Sequence, residues 1–232
     1  MKAVLISGSY TKKEIANDII NFINNNITND KNISFVASEF EKYEDNDKSV
    51  NNLLKEFEKK NLKFNNYYII DSRYSKESMI ENIIKSNIIF LLGGDTLEQI
   101  KQIKNYNLDK YIKDNNKIII GISAGAINMA KRVVLAKDIE DNIPNLSIYE
   151  GLGITDINIE PHCDFHNKIH WEDLIEASMH TNLIVMHDDV YIIINEKEIN
   201  YYGNYINLNK GKIYYNNKEI LLKDFLEIIK DK

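Results

Sequence analysis

Cysteine occurs once, as Cys163, so no disulfide can close within the chain. That scarcity fits a reducing compartment, and the expected location is the cytoplasm. Long apolar runs are missing too. The N-terminal run Ala3-Val4-Leu5-Ile6 holds four residues, against the ~7–15 of a secretory h-region. No stretch approaches the ~18 apolar residues of a membrane span, so no membrane partner is expected. Basic clustering is absent: the net charge is −6, and lysines are mixed with acids along the whole chain. Phosphate binding needs a clustered basic surface, which argues against nucleic acid as a partner. Proline occurs twice, as Pro144 and Pro161, and no linker, repeat or low-complexity insert interrupts the pattern. What remains is ordinary globular material. With 232 residues, 44% hydrophobic and 28% charged, one α/β domain spanning 1–232 with a real core is expected. The excess of Asn, Ile, Lys and Tyr reads as compositional bias and carries no function.

Apolar, β-favouring runs alternate with longer amphipathic stretches. Strands are expected at Ala3–Ile6, Ser34–Ala37, Tyr67–Ile70, Ile88–Leu92 and Lys117–Ile120. Between them, apolar residues at helical spacing predict helices over Lys12–Asn25, Asp47–Lys60, Lys76–Lys85 and Leu97–Tyr106. Asp95 can cap the last of these, with Glu98 three residues on completing a loose capping box. A helix over Ala126–Arg132 is expected after the fifth strand. Such alternation implies a mostly parallel sheet flanked by helices on both faces. Past residue 180 the pattern changes to short strands at Asn182–Met186, Val190–Asn195 and Lys212–Tyr215, with one late helix at Leu222–Ile229. Antiparallel strands at one sheet edge would fit. Residues 136–150 read as the longest loop.

The chemistry centres on Gly121-Ile122-Ser123-Ala124-Gly125. It lies between a strand and a helix, the context that a G-x-S-x-G nucleophile elbow requires. The turn exposes the serine oxygen at the carboxyl edge of the sheet. Ala124 N–H then faces a bound carbonyl oxygen as one oxyanion donor. The plain alternative is a tight turn with an N-cap serine. Gly93-Gly94-Asp95-Thr96 ends the preceding strand at the same edge, where sites on parallel sheets form. There the N–H of Gly94 can supply a second donor.

A serine nucleophile needs a base, normally histidine. Five are present: His162, His166, His170, His180 and His187. Glu160-Pro161-His162 places His162 directly after an expected strand led by Ile154, Ile157 and Ile159. His166 and His170 share a face of an expected helix over 164–179, as solvated residues or half of an adventitious metal site. His180 reads as a structural residue at a helix end. The orienting carboxylate is sought at the next strand end, Met186-His187-Asp188-Asp189-Val190, where two acids stand side by side.

These elements, in this order, resemble the peptidase E (aspartyl dipeptidase) family of serine peptidases, which includes cyanophycinase. The family's Gly-Gly-Asn-Thr-like loop reads here Gly93-Gly94-Asp95-Thr96, and its Gly-x-Ser-Ala-Gly-Ala string reads Gly121 through Ala126. Glu160-Pro161-His162 stands where the family has Asn-Pro-His, with Cys163 and Asp164 following in place of an aromatic residue. The likeness spans residues 1 to about 205. It implies a class I glutamine amidotransferase-like fold and a Ser123–His162–Asp188 triad, with Asp189 as the fallback acid. It implies action on short peptides, among them dipeptides with N-terminal aspartate, with no metal or organic cofactor, by a monomer or homodimer. Three other readings compete. One is an esterase or amide hydrolase on the same triad. Another is a non-catalytic relative that binds a small ligand at the old site. The third is a metallohydrolase on His166, His170 and Asp173, although no His-Glu-x-x-His string is present.

Overall fold

The computed structural model describes residues 1–8, 14–138, 143–216 and 218–230. In chain order the first elements are β1 (Lys2–Ile6), α1 (Asn17–Asn26), β2 (Asn32–Val36), α2 (Tyr43–Lys59), β3 (Asn66–Ile70) and α3 (Lys76–Lys85). Next come β4 (Ile88–Leu91), α4 (Thr96–Asn105), α5 (Asp109–Ile112), β5 (Ile118–Ile122), α6 (Ala124–Ile127), β6 (Arg132–Leu135), β7 (Ser147–Glu150) and β8 (Asn158–Glu160). The last are α7 (Lys168–Ser178), β9 (Leu183–Met186), β10 (Tyr191–Asn195), β11 (Glu198–Tyr202), β12 (Tyr205–Asn209), β13 (Lys212–Tyr215), β14 (Lys218–Ile220) and α8 (Leu222–Lys230).

A seven-stranded sheet in the order β11-β10-β1-β5-β4-β2-β3 forms the centre. The strands β1, β5, β4, β2 and β3 run parallel, and in chain order helices connect each of these five to the next. β10 and β11 add antiparallel strands at one edge, as the late short runs led one to expect. Each central strand is buried on both faces, because helices cover both, so it reads as a nearly unbroken apolar run. Its residues still divide by the period of two. Ala3, Leu5, Ile89, Leu91 and Ile119 enter one apolar layer, while Val4, Ile6, Ile88, Phe90 and Ile120 enter the other with α1 and α2.

Two expectations change. The late strands do not all join the central sheet: β9 and β13 belong to a second, five-stranded sheet in the order β14-β13-β12-β9-β8. A strand's alternation shows which of its faces is buried, not which strand it pairs with. The helix expected over Ala126–Arg132 is shorter and earlier, at Ala124–Ile127. The chain then turns through a bridge between Ala130 and Thr155, and Arg132–Leu135 pairs with Ser147–Glu150 as a hairpin. So part of the expected 136–150 loop is strand, and its residues 139–142 lie outside those described. The same holds for Ser9 and for the start of the helix expected from Lys12.

Candidate active site

β5 runs directly into Ser123, whose backbone takes φ 51 and ψ −118. A non-glycine residue held there carries about 1–3 kcal/mol of local strain and persists only where its surroundings over-determine it. They do. Ser123 N–H donates to Ile6 O at 2.9 Å, and Ser123 O accepts from the N–H groups of Ala126 and Ile127 at 2.9 and 3.0 Å. The flanking glycines answer to crowding. A Cβ on Gly121 would stand 2.7 Å from Ala126 Cα, and one on Gly125 would stand 2.2 Å from Leu91 O. Because α6 has only four residues, its dipole adds little. The Ala124 amide itself is the available donor.

The Gly93-Gly94 turn leaves β4 beside the elbow. A Cβ on Gly93 would come within 3.3 Å of Ser123 Cβ, and Gly94 adopts φ +133. Asp95 caps α4, accepting from Glu98 N–H at 2.8 Å. The Glu98 carboxylate turns instead to Lys101 and Gln102, so only half of a capping box forms.

His162 follows β8 and Pro161, at φ 56. Its ring Nδ1 lies 2.6 Å from Asp188 Oδ1. An ionised carboxylate only accepts, so Nδ1 carries the proton and Nε2 is left as an acceptor. Asp189 faces elsewhere, its Oδ1 3.0 Å from His187 Nδ1. The His162 and Asp188 side chains are 38% and 52% exposed, so solvent screens their mutual attraction and the geometry matters more than the charge energy.

The sequence reading passed over the residues that hold this pair, Ser7 and Gly8. Fully buried Ser7 accepts from His162 N–H at 3.0 Å and donates to Met186 O at 3.2 Å. Gly8 N–H donates to Asp188 O at 3.1 Å. A Cβ on Gly8 would stand 2.4 Å from that same oxygen, so only glycine lets the two backbones meet. The available signal was a Ser-Gly pair ending the first strand at the carboxyl edge.

Ser123, Gly93, Gly94 and His162 open onto one cavity of about 490 Å³, whose far wall is a face of α2 carrying Asn52, Lys55, Glu56 and Lys59. Lys59 is paired with Glu56 at 2.6 Å. Among the described residues no hydrogen bond joins Ser123 to His162.

The other singled-out residues lie elsewhere. His170 Nε2 stands 3.6 Å from Glu160 Oε1 and 3.9 Å from Asp138 Oδ2, rather than with His166, whose N–H donates to Asp164. Asp173 pairs with Lys137 at 3.5 Å. His166, His170 and Asp173 therefore do not assemble the metal set weighed from sequence. Burial opposes charging His170, but Glu160, with help from Asp138 and Asp173, outweighs it and raises its basicity. Cys163 is buried, and burial raises its thiol far above the ordinary range. Neither arginine reaches the cavity. Arg73 pairs with Asp71 and Asp47, and Arg132 donates to His180 O.

Residues 3–202 match the model of peptidase family S51. Among solved structures, the chain is similar to a Listeria monocytogenes EGD-e protein described as a candidate peptidase E. The identity is 20% over 87% of this chain and 97% of that one, with a TM-score of 0.61. It is similar also to a peptidase from an acI-B1 Actinobacterium, at 15% identity over 94% of this chain and 96% of that one, with a TM-score of 0.67. At these identities the likeness shows a shared fold. No curated protein matches the chain.

Proposed function

The chain belongs to peptidase family S51 and is a serine-type peptidase, and from that premise we propose that it hydrolyses short peptides through Ser123, His162 and Asp188. Ser123 Oγ attacks the scissile carbonyl carbon as its proton passes to His162 Nε2. The resulting oxyanion is held by the N–H groups of Gly94 and Ala124. His162 then gives its proton to the amide nitrogen, which leaves as a free amine. An acyl group remains on Ser123. Water attacks that ester, losing its proton to His162, and the acid product departs as the proton returns to Ser123. Asp188 keeps the Nδ1–H tautomer in place throughout.

The observation that carries this reading is the 2.6 Å contact of His162 with Asp188 at the same cavity as the strained Ser123. The cavity volume is that of a small-ligand site, which supports peptides of very few residues. Of its two lysines, Lys59 is engaged by Glu56, and Lys55 offers a cation toward a substrate carboxylate. That supports dipeptides with N-terminal aspartate as substrates. The test is turnover of aspartyl dipeptides, neutral dipeptides and simple acyl esters by the protein and by Ser123→Ala. The expected result is cleavage of dipeptides, best for aspartyl ones, and its disappearance in Ser123→Ala without a change in melting temperature. Full activity in that variant would end the serine mechanism. Preference for simple esters would move the substrate class.

A further inference from the structure

The Gly93–Gly94 peptide has a mechanical weakness. Neither residue has a Cβ, so sterics barely oppose rotation of the plane between them. A donor mounted on such a peptide needs something to hold it. Ser38, just past β2 and only 5% exposed, donates its hydroxyl to Gly93 O at 2.8 Å.

We propose that Ser38 is a positioning residue for the acyl-transfer step, locking the Gly93–Gly94 peptide so that Gly94 N–H faces the developing oxyanion. The inference rests on the serine-peptidase reading above. In a planar trans peptide the carbonyl and the following N–H point in opposite directions. Holding Gly93 O against Ser38 therefore aims Gly94 N–H away from β2. Gly93 itself abuts Ser123, so the plane pivots beside the nucleophile.

Both ends of the contact stand on firm backbone. Leu92 N–H donates to Val36 O at 2.9 Å, and Ala37 N–H donates to Ile70 O at 3.1 Å. The buried Gln99 amide donates to Leu92 O at 2.8 Å and to Ala37 O at 3.4 Å, spanning the two strand ends. The packing leaves no slack: a Cβ on Gly94 would stand 2.1 Å from Ser38 Oγ. Ser38 is thus a strut between two hydrogen-bonded strand ends, and its hydroxyl donates to the carbonyl whose peptide bears the donor.

The experiment compares the protein with Ser38→Ala, which removes only the hydroxyl, and with Ser38→Thr, which keeps one. The readouts are kcat and KM on a dipeptide, melting temperature and affinity for phenylboronic acid. The boronic acid forms an O–B bond with Ser123, whose proton goes to His162, and the boron becomes tetrahedral and anionic, as the acyl carbon does in reaction. In Ser38→Ala, kcat falls about tenfold, less than the ~10²–10³ for deleting a donor outright. KM stays near its original value, boronate affinity falls by a factor similar to kcat, and Ser38→Thr recovers most of both. Unchanged kcat and boronate affinity in Ser38→Ala would overturn the role. So would a loss that appears mainly in melting temperature and KM, which marks a loop staple. Failure of the unsubstituted protein to bind the boronate sinks the peptidase reading itself, and Ser38's role with it.

Discussion

Asp188 and Asp189 are adjacent acids at one turn, and they face different histidines. Neighbouring side chains at a strand end point opposite ways, so a shift of one residue changes which carboxylate meets the imidazole. Asp188→Asn keeps the shape but its amide can donate, which favours the wrong tautomer at His162. The expected outcome is a loss in kcat of at least about a hundredfold, with little change in melting temperature, because the Asp188 side chain is half exposed. Asp189→Asn should leave both near their original values. Steady-state rates and melting curves on the two variants decide it, and damage from Asp189→Asn instead would move the acid by one position. The candidates Ser123, His162 and Asp188 were visible in the sequence because each stands at a strand end beside a turn residue, and the structure brings His162 and Asp188 into contact. Ser7 and Gly8 were not visible there, although they hold that pair. Their role is a long-range contact, Ser7 to Met186 and Gly8 to Asp188, and nothing local in β1 announces a partner about 180 residues away.

Elements with their own start and stop signals were readable in the same way. α3 occupies Lys76–Lys85 as its periodicity predicts, with Ser75 accepting from Ser78 N–H as its cap. α4 begins at the Asp95 cap. α6 was overestimated, because apolar residues continue past Ile127 in Met129 and Ala130 while the backbone has already turned toward β6. The pairing of β8 with β9 was unreadable, since period-two alternation carries no partner identity. α7 was expected to carry His170 on an open face, yet it docks that side chain against Glu160 at the end of β8. This contact makes a pH prediction. The basicity of His170 is raised in the fold, mainly by Glu160 against the penalty of burial. A raised folded pKa stabilises fully below the unfolded value of about 6.5, and that gain is lost as pH climbs through the folded value. Unfolding by denaturant should therefore show the protein more stable than His170→Gln near about pH 6, with the gap closing toward about pH 9. A gap that is flat or widens with pH would mean that His170 acts through packing and not through its charge.

At the scale of the whole molecule, the question is whether the two sheets behave as one body. The apolar layer on one face of the central sheet continues without a break into Ile159, Ile184 and Met186 of the second sheet. The opposite face of that second sheet, through Leu183, Val185, Ile206 and Leu208, packs with Trp171 of α7 and Phe225 of α8. Trp171 and Phe225 meet edge to face at 5.2 Å. The family match ends at residue 202, yet β12, β13 and α8 beyond it close this layer over Trp171. Detaching the second sheet from the sheet carrying Ser123 would expose the apolar residues they share, so the expected outcome is that the two unfold together. Trp171 is the one tryptophan in the chain and sits in the outermost of these layers, which makes it a local reporter. Its fluorescence in a denaturant titration should trace the same midpoint and slope as far-UV circular dichroism, which reports all the helices and strands. A fluorescence transition at lower denaturant than the dichroism would show that the second sheet, α7 and α8 come away as a separate unit. His162 leaves β8, so that loosening would reach His162 before Ser123, which follows β5.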